Sequence, residues 1–283
     1  MSDTRTRPST AVSVLPSLIL ICLYVDDLLI TGNNEEYIRD FKKSMMKEFE
    51  MTDLGLISYF VGIEFQRTKS GLIMHQHRYA SEVLKRFEMI NCNPALTPCE
   101  SRLQLTKEPE EKDVDATEYR KLIGSLRYLC NTRPDIAYSV GIVNKYIEKP
   151  KISHLIAAKR ILRYVKGTMD HGIVFPSSDK GREFDLVGYT DSNWCGDKDD
   201  RKSIVGYIFQ IGGASISWSS KKESVVALST CEAEYIAVLL CACQGVWLCN
   251  LLNEINNIKC ESVILKVDNM SAINFTKNLI AHG

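Results

Sequence analysis

The chain lacks the cysteine spacing of a zinc site or a redox motif. Its ten cysteines fall at irregular intervals, and none forms a Cys-x-x-Cys pair. Cys241 and Cys243 are two apart on a predicted helix, so they face different ways. His75 and His77 have no Cys or His partner nearby, which argues against a metal site there. The sequence therefore predicts buried free thiols in a reducing compartment.

The chain also lacks a net charge and a long uninterrupted apolar run near its N-terminus. Its formal net charge is +0. The apolar run over residues 11–25 is broken by Pro16 and is too short to span a bilayer. Arg5 and Arg7 precede this run as in a secretory signal, but no small-residue cleavage site follows. We therefore expect no membrane partner and no secretion, with residues 1–17 forming a disordered leader and the apolar run after it a buried strand.

The balanced charge is unevenly distributed. In residues 99–118 seven acids outnumber three basic residues, which is typical of a solvated linker. Residues 120–166 carry eleven Lys and Arg against Asp135 and Glu148. Such a block, interleaved with tyrosines, is typical of a surface that follows a phosphate backbone, and equally of the solvated face of ordinary helices. The candidate nucleic-acid contacts are Arg120, Lys121, Arg127, Lys159, Arg160, Arg163 and Lys166.

Two adjacent acids interrupt an apolar stretch. Asp26 and Asp27 lie between the apolar residues 18–25 and 28–30. Two apolar strands joined by a two-acid turn would form a hairpin with both carboxylates at its tip. Paired carboxylates bind divalent metal ions, and metal with phosphate is the chemistry of nucleotidyl transfer. An ordinary hairpin turn without an active site has the same pattern.

Residues 20–32, with Tyr24 before the acids and Thr31-Gly32 after them, resemble the palm hairpin of copia-type retrotransposon reverse transcriptases. Residues 56–66 are predicted as one strand. Residues 53–64 resemble the primer-grip region of these reverse transcriptases, where glycines would let the backbone approach the primer. Glycine at a sheet bend is the alternative. The resemblance implies that Asp26 and Asp27 bind metal with a third Asp from an upstream strand. That strand and the fingers are missing, so we expect an incomplete polymerase site.

Helical periodicity alternates with strand periodicity along the chain. A helix is predicted over residues 34–49, with Asn33 or Asn34 as its cap. A second is predicted over residues 79–87, and three more follow, over residues 117–130, 135–147 and 153–166. Residues 158–168 resemble the connection segment of the same polyproteins, which joins the polymerase to the next domain.

An antiparallel meander is predicted after the connection. A strand over residues 184–190 ends at Asp191, and residues 206–211 and 216–218 form two more strands around Gly212-Gly213.

Two further acids follow the meander. A helix over residues 230–255 begins with the capping box Ser229-x-x-Glu232, which explains Glu232 locally. Glu234, two residues on, points nearly opposite and is free to face the sheet, where an unpaired acid is costly. A buried strand over residues 263–267 ends at Asp268, for which a helix cap is the alternative role.

The order strand Asp, helix Glu, strand-end Asp resembles the ribonuclease H active site of the copia-type polyproteins, and residues 218–222 and 228–237 match their local motifs. The resemblance implies that Asp191, Glu234 and Asp268 hold two Mg²⁺ (or Mn²⁺) ions about 4 Å apart, one activating water and one stabilising the leaving oxygen. It also implies a fourth carboxylate beyond residue 283, so the site would be nearly complete.

The sequence predicts a mixed α/β fold in four segments: a leader (1–17), a partial reverse-transcriptase palm and thumb (18–98), a linker and helical connection (99–180), and a ribonuclease H-like domain (181–283). We expect RNA-directed DNA synthesis with an incomplete site and cleavage of RNA in RNA/DNA hybrids. Template-primer, hybrid and other polyprotein segments are the expected partners, in a cytoplasmic particle or the nucleus. The alternative is a non-enzymatic, co-opted or secreted effector-like protein, suggested by the R-x-L-R pattern at residues 160–163.

Overall fold

The computed structural model describes residues 18–101, 103–107, 110–177, 185–256 and 260–277. The predicted leader lies outside these residues, as does the first residue of the strand predicted from residue 184. The described chain divides into two compact units, residues 18–56 with 254–256, and residues 57–253 with 260–277. Within them, strands and helices alternate in chain order, which confirms the mixed α/β class.

The first unit contains the predicted hairpin. Strands β1 (Ile19–Tyr24) and β2 (Asp27–Gly32) pair antiparallel, with Tyr24 opposite Asp27. The two-residue turn is Val25–Asp26, and Val25 adopts the positive φ of 53° that such tight turns require. The predicted two-acid turn is therefore wrong by one residue, because Asp27 already begins β2.

Strand β1 is exposed rather than buried. The side chains of Ile21, Leu23 and Tyr24 are 48%, 69% and 51% exposed. The prediction of a buried strand assumed cover on both faces, whereas the described unit is a two-stranded sheet with one helix, α1 (Glu35–Glu48). Asn34 caps that helix, as predicted: its side chain accepts hydrogen bonds from the backbone of Glu36 and Tyr37.

The second unit begins with a four-stranded antiparallel sheet in the order β3-β4-β5-β6. Its strands are β3 (Tyr59–Phe60), β4 (Ile63–Thr68), β5 (Gly71–His75) and β6 (Gly172–Pro176). The single strand predicted over residues 56–66 is wrong, because the chain reverses at Val61–Gly62, where φ is 46° and 75°. This sheet takes strands from both sides of residue 98, and the predicted domain boundaries stay predictions.

Gly62 is required by its conformation and by its neighbour. A Cβ at this position would collide with the hydroxyl of Tyr128, which donates a hydrogen bond to the Val61 carbonyl. We expect Gly62→Ala to lower the free energy of unfolding by about 1–3 kcal/mol, measured by urea denaturation. The control is Gly124→Ala in the helix over residues Ala116–Leu129, where a Cβ meets nothing within 4 Å. That change should raise stability by up to about 1 kcal/mol, and equal effects of the two changes would contradict the steric argument.

The helices predicted between residues 77 and 168 are confirmed. They are α2 (His77–Arg86), α3 (Ala116–Leu129), α4 (Pro134–Asn144) and α5 (Ile152–Gly167). Their apolar faces form one core in which Tyr119, Leu126 and Leu162 are fully buried. Ile204 of the following sheet joins this core, so α2–α5 and that sheet share a packed interface.

A second four-stranded sheet has the order β10-β7-β8-β9, with β10 parallel to β7 and the other pairs antiparallel. Its strands are β7 (Leu186–Asn193), β8 (Ile204–Ile211), β9 (Ala214–Lys222) and β10 (Ile264–Lys266). Strands β7–β9 are the predicted meander. Helix α6 (Thr230–Asn256) packs on the sheet through Cys241 and Leu248 around Phe209, and α7 (Met270–Lys277) follows β10.

Two sequence expectations concern α6 and the thiols. By length and composition α6 could cross a membrane, a test that core helices of soluble proteins also pass, so it is weak evidence for a membrane span. The ten cysteines are free, but only Cys241 is buried, and Cys22 and Cys243 are exposed. The prediction of buried thiols is therefore wrong for most of them, because seven are only partly covered and two are exposed.

Candidate metal centre

Asp191 lies within β7 rather than at its end. The strand continues for two residues, and Asp191 is exposed on it. The backbone N–H of Ser192 donates to Oε1 of Glu234 at 3.1 Å, which fixes α6 against this part of β7.

Glu234 faces the sheet, as its helical phase predicts. Its side chain is only 7% exposed, and Oε2 receives no hydrogen bond from the described residues. Glu232, two residues earlier, accepts a hydrogen bond from the backbone of Leu228, while Ser229 Oγ accepts one from Glu232 N. The capping residues therefore serve the helix start, and Glu234 is left for another role.

Asp268 follows the edge strand β10. Lys266 pairs with Tyr189 in the parallel register, so continuing it by two residues brings Asp268 level with Asp191. Strand β10 is not a buried strand as predicted, because Ile264 and Lys266 are exposed at the sheet edge. The cap of α7 is Asn269, whose side chain accepts from Ala272 N at 3.0 Å, so Asp268 is not needed as a cap.

The three acids converge. Each of Asp191, Glu234 and Asp268 contributes a carboxylate oxygen, and these oxygens all lie within 4.8 Å of one another. Burial raises the pKa of Glu234, and the charges of Asp191 and Asp268 raise it further, against the Ser192 hydrogen bond. Like charges held this closely are unfavourable without a cation between them.

The donor set fits a hard divalent cation. Carboxylate oxygens are the ligands that Mg²⁺ and Mn²⁺ prefer, and the orphaned Glu234 Oε2 is a buried acceptor that a cation would satisfy. Asp191, Glu234 and Asp268 are therefore the residues that would hold such an ion.

The loop after β7 is fixed by a buried ion cluster. Asp197 is 3% exposed and accepts hydrogen bonds from Lys145 Nζ at 2.9 Å and Lys222 Nζ at 2.8 Å. Burial alone would raise the pKa of Asp197, but the two lysines outweigh it and hold this pKa well below its usual range. Because Lys145 lies at the end of α4 and Lys222 ends β9, the cluster joins the helical connection to the sheet.

The hairpin acids Asp26 and Asp27 form no metal-site group of their own among the described residues. Asp26 and Asp27 are exposed at the hairpin tip of the first unit. Within the described residues, Asp191, Glu234 and Asp268 are the one acidic group that meets the geometry of a metal site. The hairpin pair therefore forms no three-acid site inside the described chain.

The seven predicted nucleic-acid contacts have unequal surroundings. Arg127 and Lys159 are exposed on α3 and α5, and neither forms an ion pair with the described residues. Four others donate hydrogen bonds to groups of the same chain: Arg120 to the Ile147 carbonyl, Lys121 to Glu118, Arg160 to Glu100 and Thr97, and Arg163 to the Asn93 carbonyl. Lys166 is half-buried near the end of α5.

The R-x-L-R pattern at residues 160–163 is part of helix α5. Its two middle residues, Ile161 and Leu162, are 1% and 0% exposed, and both of its arginines make the contacts just described. The tetrapeptide is therefore a core segment of the connection rather than an accessible peptide.

Sequence reasoning missed one contact to this centre. The side chain of Asn193 donates to the hydroxyl of Tyr138 on α4 at 3.1 Å. Asn193 could have been found, because it shares a face of β7 with Asp191. Tyr138 is 55 residues away in the chain and carries no motif that would have marked it.

Comparisons with known proteins show which family the chain belongs to. Residues 14–101 match the family described as reverse transcriptase (RNA-dependent DNA polymerase). The chain is 39% identical over 267 residues to the retrovirus-related Pol polyprotein from transposon RE1 of Arabidopsis thaliana, covering 94% of this chain. It is 36% identical over 227 residues to an uncharacterized mitochondrial protein of the same plant, covering 80% of this chain and 93% of that protein. The chain belongs to the copia-type retrotransposon Pol polyproteins.

This Pol chain spans 18% of the length of the RE1 polyprotein. It is also 40% identical over 131 residues to a secreted RxLR effector protein of Plasmopara viticola, covering 46% of this chain and 90% of that protein. No solved structure matches it. Residues 14–101 are thus a reverse transcriptase segment of a retrotransposon Pol polyprotein, a family that generally uses divalent metal ions and binds nucleic acid.

Proposed function

We propose that this Pol chain cleaves the RNA strand of RNA/DNA hybrids with Mg²⁺ or Mn²⁺ at Asp191, Glu234 and Asp268. The observation that carries the proposal is the convergence of three carboxylates from a strand, a helix and a parallel strand within 4.8 Å. Three acids so close cost stability unless a ligand uses them. This order of elements also follows the ribonuclease H pattern that the sequence predicts.

The residues of the centre have distinct roles in this proposal. When bound, a divalent cation supplies an activated water and stabilises charge on the leaving oxygen. Asp191 and Asp268 are exposed, so they face the side from which a phosphate can approach. The Ser192 N–H holds Oε1 of Glu234, which leaves Oε2 as the ligand for the ion. The carboxylate is therefore oriented before substrate binds.

The basic residues of the connection supply the attraction for nucleic acid. Arg127 and Lys159 are exposed cations without a carboxylate partner in the described chain, so both are available to phosphates. Binding of a hybrid through these side chains should weaken as salt rises. Arg160 and Arg163 contribute mainly to packing, because their guanidinium groups are already hydrogen-bonded.

The hairpin acids belong to the polymerase part of the proposal. Asp26 and Asp27 would bind metal for RNA-directed DNA synthesis, supported by the match of residues 14–101 to the reverse transcriptase family. Among the described residues, no third carboxylate joins Asp26 and Asp27 in a group with the geometry of a metal site, which is in line with an incomplete polymerase site. We place the protein in a cytoplasmic retroelement particle or the nucleus, where its template-primer and the other polyprotein segments would be found.

Incubating the purified full chain with an end-labelled RNA/DNA hybrid tests the nuclease proposal. We expect the RNA strand to be cut in Mg²⁺ or Mn²⁺ and left intact in EDTA, because the carboxylates supply only ligands. The matched controls are the same RNA as a single strand and the DNA strand labelled instead, neither of which should be cut. Cleavage that persists in EDTA would contradict the proposal, as would the absence of cleavage in both Mg²⁺ and Mn²⁺.

A non-enzymatic, secreted effector-like role is the second candidate. It is favoured by the 40% identity to a secreted RxLR effector protein. It is opposed by the burial of Ile161 and Leu162, which makes the R-x-L-R pattern a part of the core. Detection of the chain outside the cells that express it would favour this role, and its retention inside them would favour the nuclease.

A further inference from the structure

Helix α4 of the connection brings a tyrosine to the edge of the acidic centre. Tyr138 accepts a hydrogen bond from Asn193 Nδ2 at 3.1 Å and is 38% exposed. Asn193 lies two residues after Asp191, so both side chains leave the same face of β7. The Tyr138 hydroxyl is therefore a neighbour of the acids although it comes from another part of the chain.

The hydroxyl of Tyr138 has a proton to donate. Asn193 uses its oxygen as an acceptor, and no described residue accepts a hydrogen bond from its O–H. Burial raises the pKa of Tyr138, and the charge of Asp191 raises it further against the Asn193 hydrogen bond, so the group stays neutral at physiological pH. A lysine or arginine here would pair with the carboxylates, whereas a neutral hydroxyl can donate to a different acceptor.

The sheet leaves room beside this hydroxyl. Gly206 lies opposite Asp191, and Ser220 lies opposite Gly206 on the next strand. A Cβ at Gly206 would have its nearest neighbour, the Ser219 carbonyl oxygen, at 3.8 Å, so the space above it is open. Farther along the row, Ser220 contacts α4, because its Oγ lies 3.5 Å from the Cβ position of Gly141. The surface of the sheet between Asp191 and α4 is therefore not filled by a side chain at Gly206.

Helix α4 is held firmly where it presents Tyr138. Its C-terminal end is held by the ion pair between Lys145 and Asp197, in which the Asp197 carboxylate is buried. At its start, the buried Arg133 makes two hydrogen bonds to Asp135 and two to Thr168. A donor mounted on such a fixed element loses little entropy on binding.

A polar cavity continues along the same helix. About 560 Å³ in volume, it lies between α3, α4 and β9. Its lining includes Arg127, Asn131, Asn144 and Ser219. These are donors suited to phosphate oxygens, and Arg127 is among the exposed cations described above.

We propose that helix α4 borders the substrate-binding surface beside Asp191. The Tyr138 hydroxyl then donates a hydrogen bond to a backbone phosphate of the nucleic-acid strand bound at Asp191. Tyr138 is then a substrate-contacting residue supplied by the connection. The inference rests on the proposed hybrid cleavage for the identity of the substrate. It differs from it in naming a contact that is measured by binding as well as by turnover.

Tyr138→Phe in the full chain removes only the hydroxyl. We expect it to weaken equilibrium binding of a fluorescein-labelled RNA/DNA hybrid in EDTA by about 10-fold, the value of one hydrogen bond to a charged acceptor. In Mn²⁺ the KM for cleavage should rise by a similar factor while kcat changes little. Binding of Mn²⁺ itself, measured by electron paramagnetic resonance, should be unchanged. The control is Tyr128→Phe, whose hydroxyl donates to the Val61 carbonyl instead, and it should bind the hybrid as the wild type does.

Modified hybrids identify the acceptor. When single phosphates are replaced in turn by neutral methylphosphonates, the wild type and Tyr138→Phe should bind equally at one position only. If 2′-deoxy substitution removes the difference and methylphosphonate does not, the contact is to the sugar and the phosphate proposal is wrong. Equal hybrid binding by Tyr138→Phe and wild type overturns the inference, whether or not the chain cleaves. Hybrid binding without any cleavage overturns the proposed function alone, and failure to bind the hybrid at all overturns both.

Discussion

Asp191→Asn should reduce divalent-ion-dependent cleavage of the hybrid on the order of 1,000-fold. The amide keeps the shape of the side chain but removes one of three charges whose oxygens lie within 4.8 Å, so the ion is held weakly and with altered geometry. Initial rates of RNA cleavage in Mg²⁺ and in Mn²⁺ measure the loss. Binding of Mn²⁺ should fall in parallel.

The matched control for the acidic centre is Glu232→Gln, because Glu232 belongs to the capping box two residues from Glu234. It should cleave nearly as the wild type does, whereas Glu234→Gln should behave like Asp191→Asn. Cleavage by Asp191→Asn at the wild-type rate would show that the activity resides elsewhere.

The same acids should lower the stability of the metal-free chain. The folded pKa of Glu234 is raised above its unfolded value, so its contribution favours the folded state at low pH and is lost as pH rises through the folded pKa. Glu234→Gln removes that loss. In EDTA at neutral pH the variant should therefore melt at a higher temperature than the wild type, and added Mn²⁺ should stabilise only the wild type.

Asp197→Asn should lower the free energy of unfolding by about 3–5 kcal/mol, measured by urea denaturation. Asp197 is almost fully buried between Lys145 and Lys222, and its removal leaves two ammonium groups with reduced compensation. Its folded pKa is depressed, so the stabilisation is present above the unfolded value of about 3.9 and is lost as pH falls through the folded pKa.

Asp200→Asn is the comparison for the ion cluster. Among the described residues, Asp200 forms an ion pair with Lys222 and accepts a hydrogen bond from the Lys202 N–H; its side chain is 39% exposed, so its replacement should cost at most about 1 kcal/mol. If the two variants were equally stable, the buried cluster would not be what joins α4 to the sheet. Because α4 carries Tyr138, Asp197→Asn should also weaken hybrid binding in conditions where the protein remains folded.

Local patterns predicted much of the fold correctly. The period of the apolar residues gave α2–α5 and the β7–β9 meander, because each buries one face against a partner. The orientation of Glu234 followed from the capping box, which assigned Glu232 to the helix start and turned Glu234 by two residues toward the sheet. Asn34 as the cap of α1 followed from the same chemistry.

The errors arose where tertiary context decides. Val61–Gly62 reads as the middle of an apolar strand, yet its tight turn is fixed by contact with Tyr128, 67 residues away from Val61. Strand β1 has the composition of a core strand, and only neighbours that cover it could make it one. Neither the Tyr138–Asn193 contact nor the three-sided Asp197 cluster has a local signature, because each joins elements far apart in the chain.

The position of Asp268 beside the other two acids depends on the short parallel strand β10. It pairs with β7 over three residues at the rim of the sheet, and Asp268 follows it directly. Local opening of so short an edge strand costs far less free energy than global unfolding. Such opening would move Asp268 away from Asp191 and Glu234. If the proposed ion binds here, its affinity and the pairing of this strand would be linked in one equilibrium: a bound ion would stabilise the strand, and local opening of the strand would release the ion.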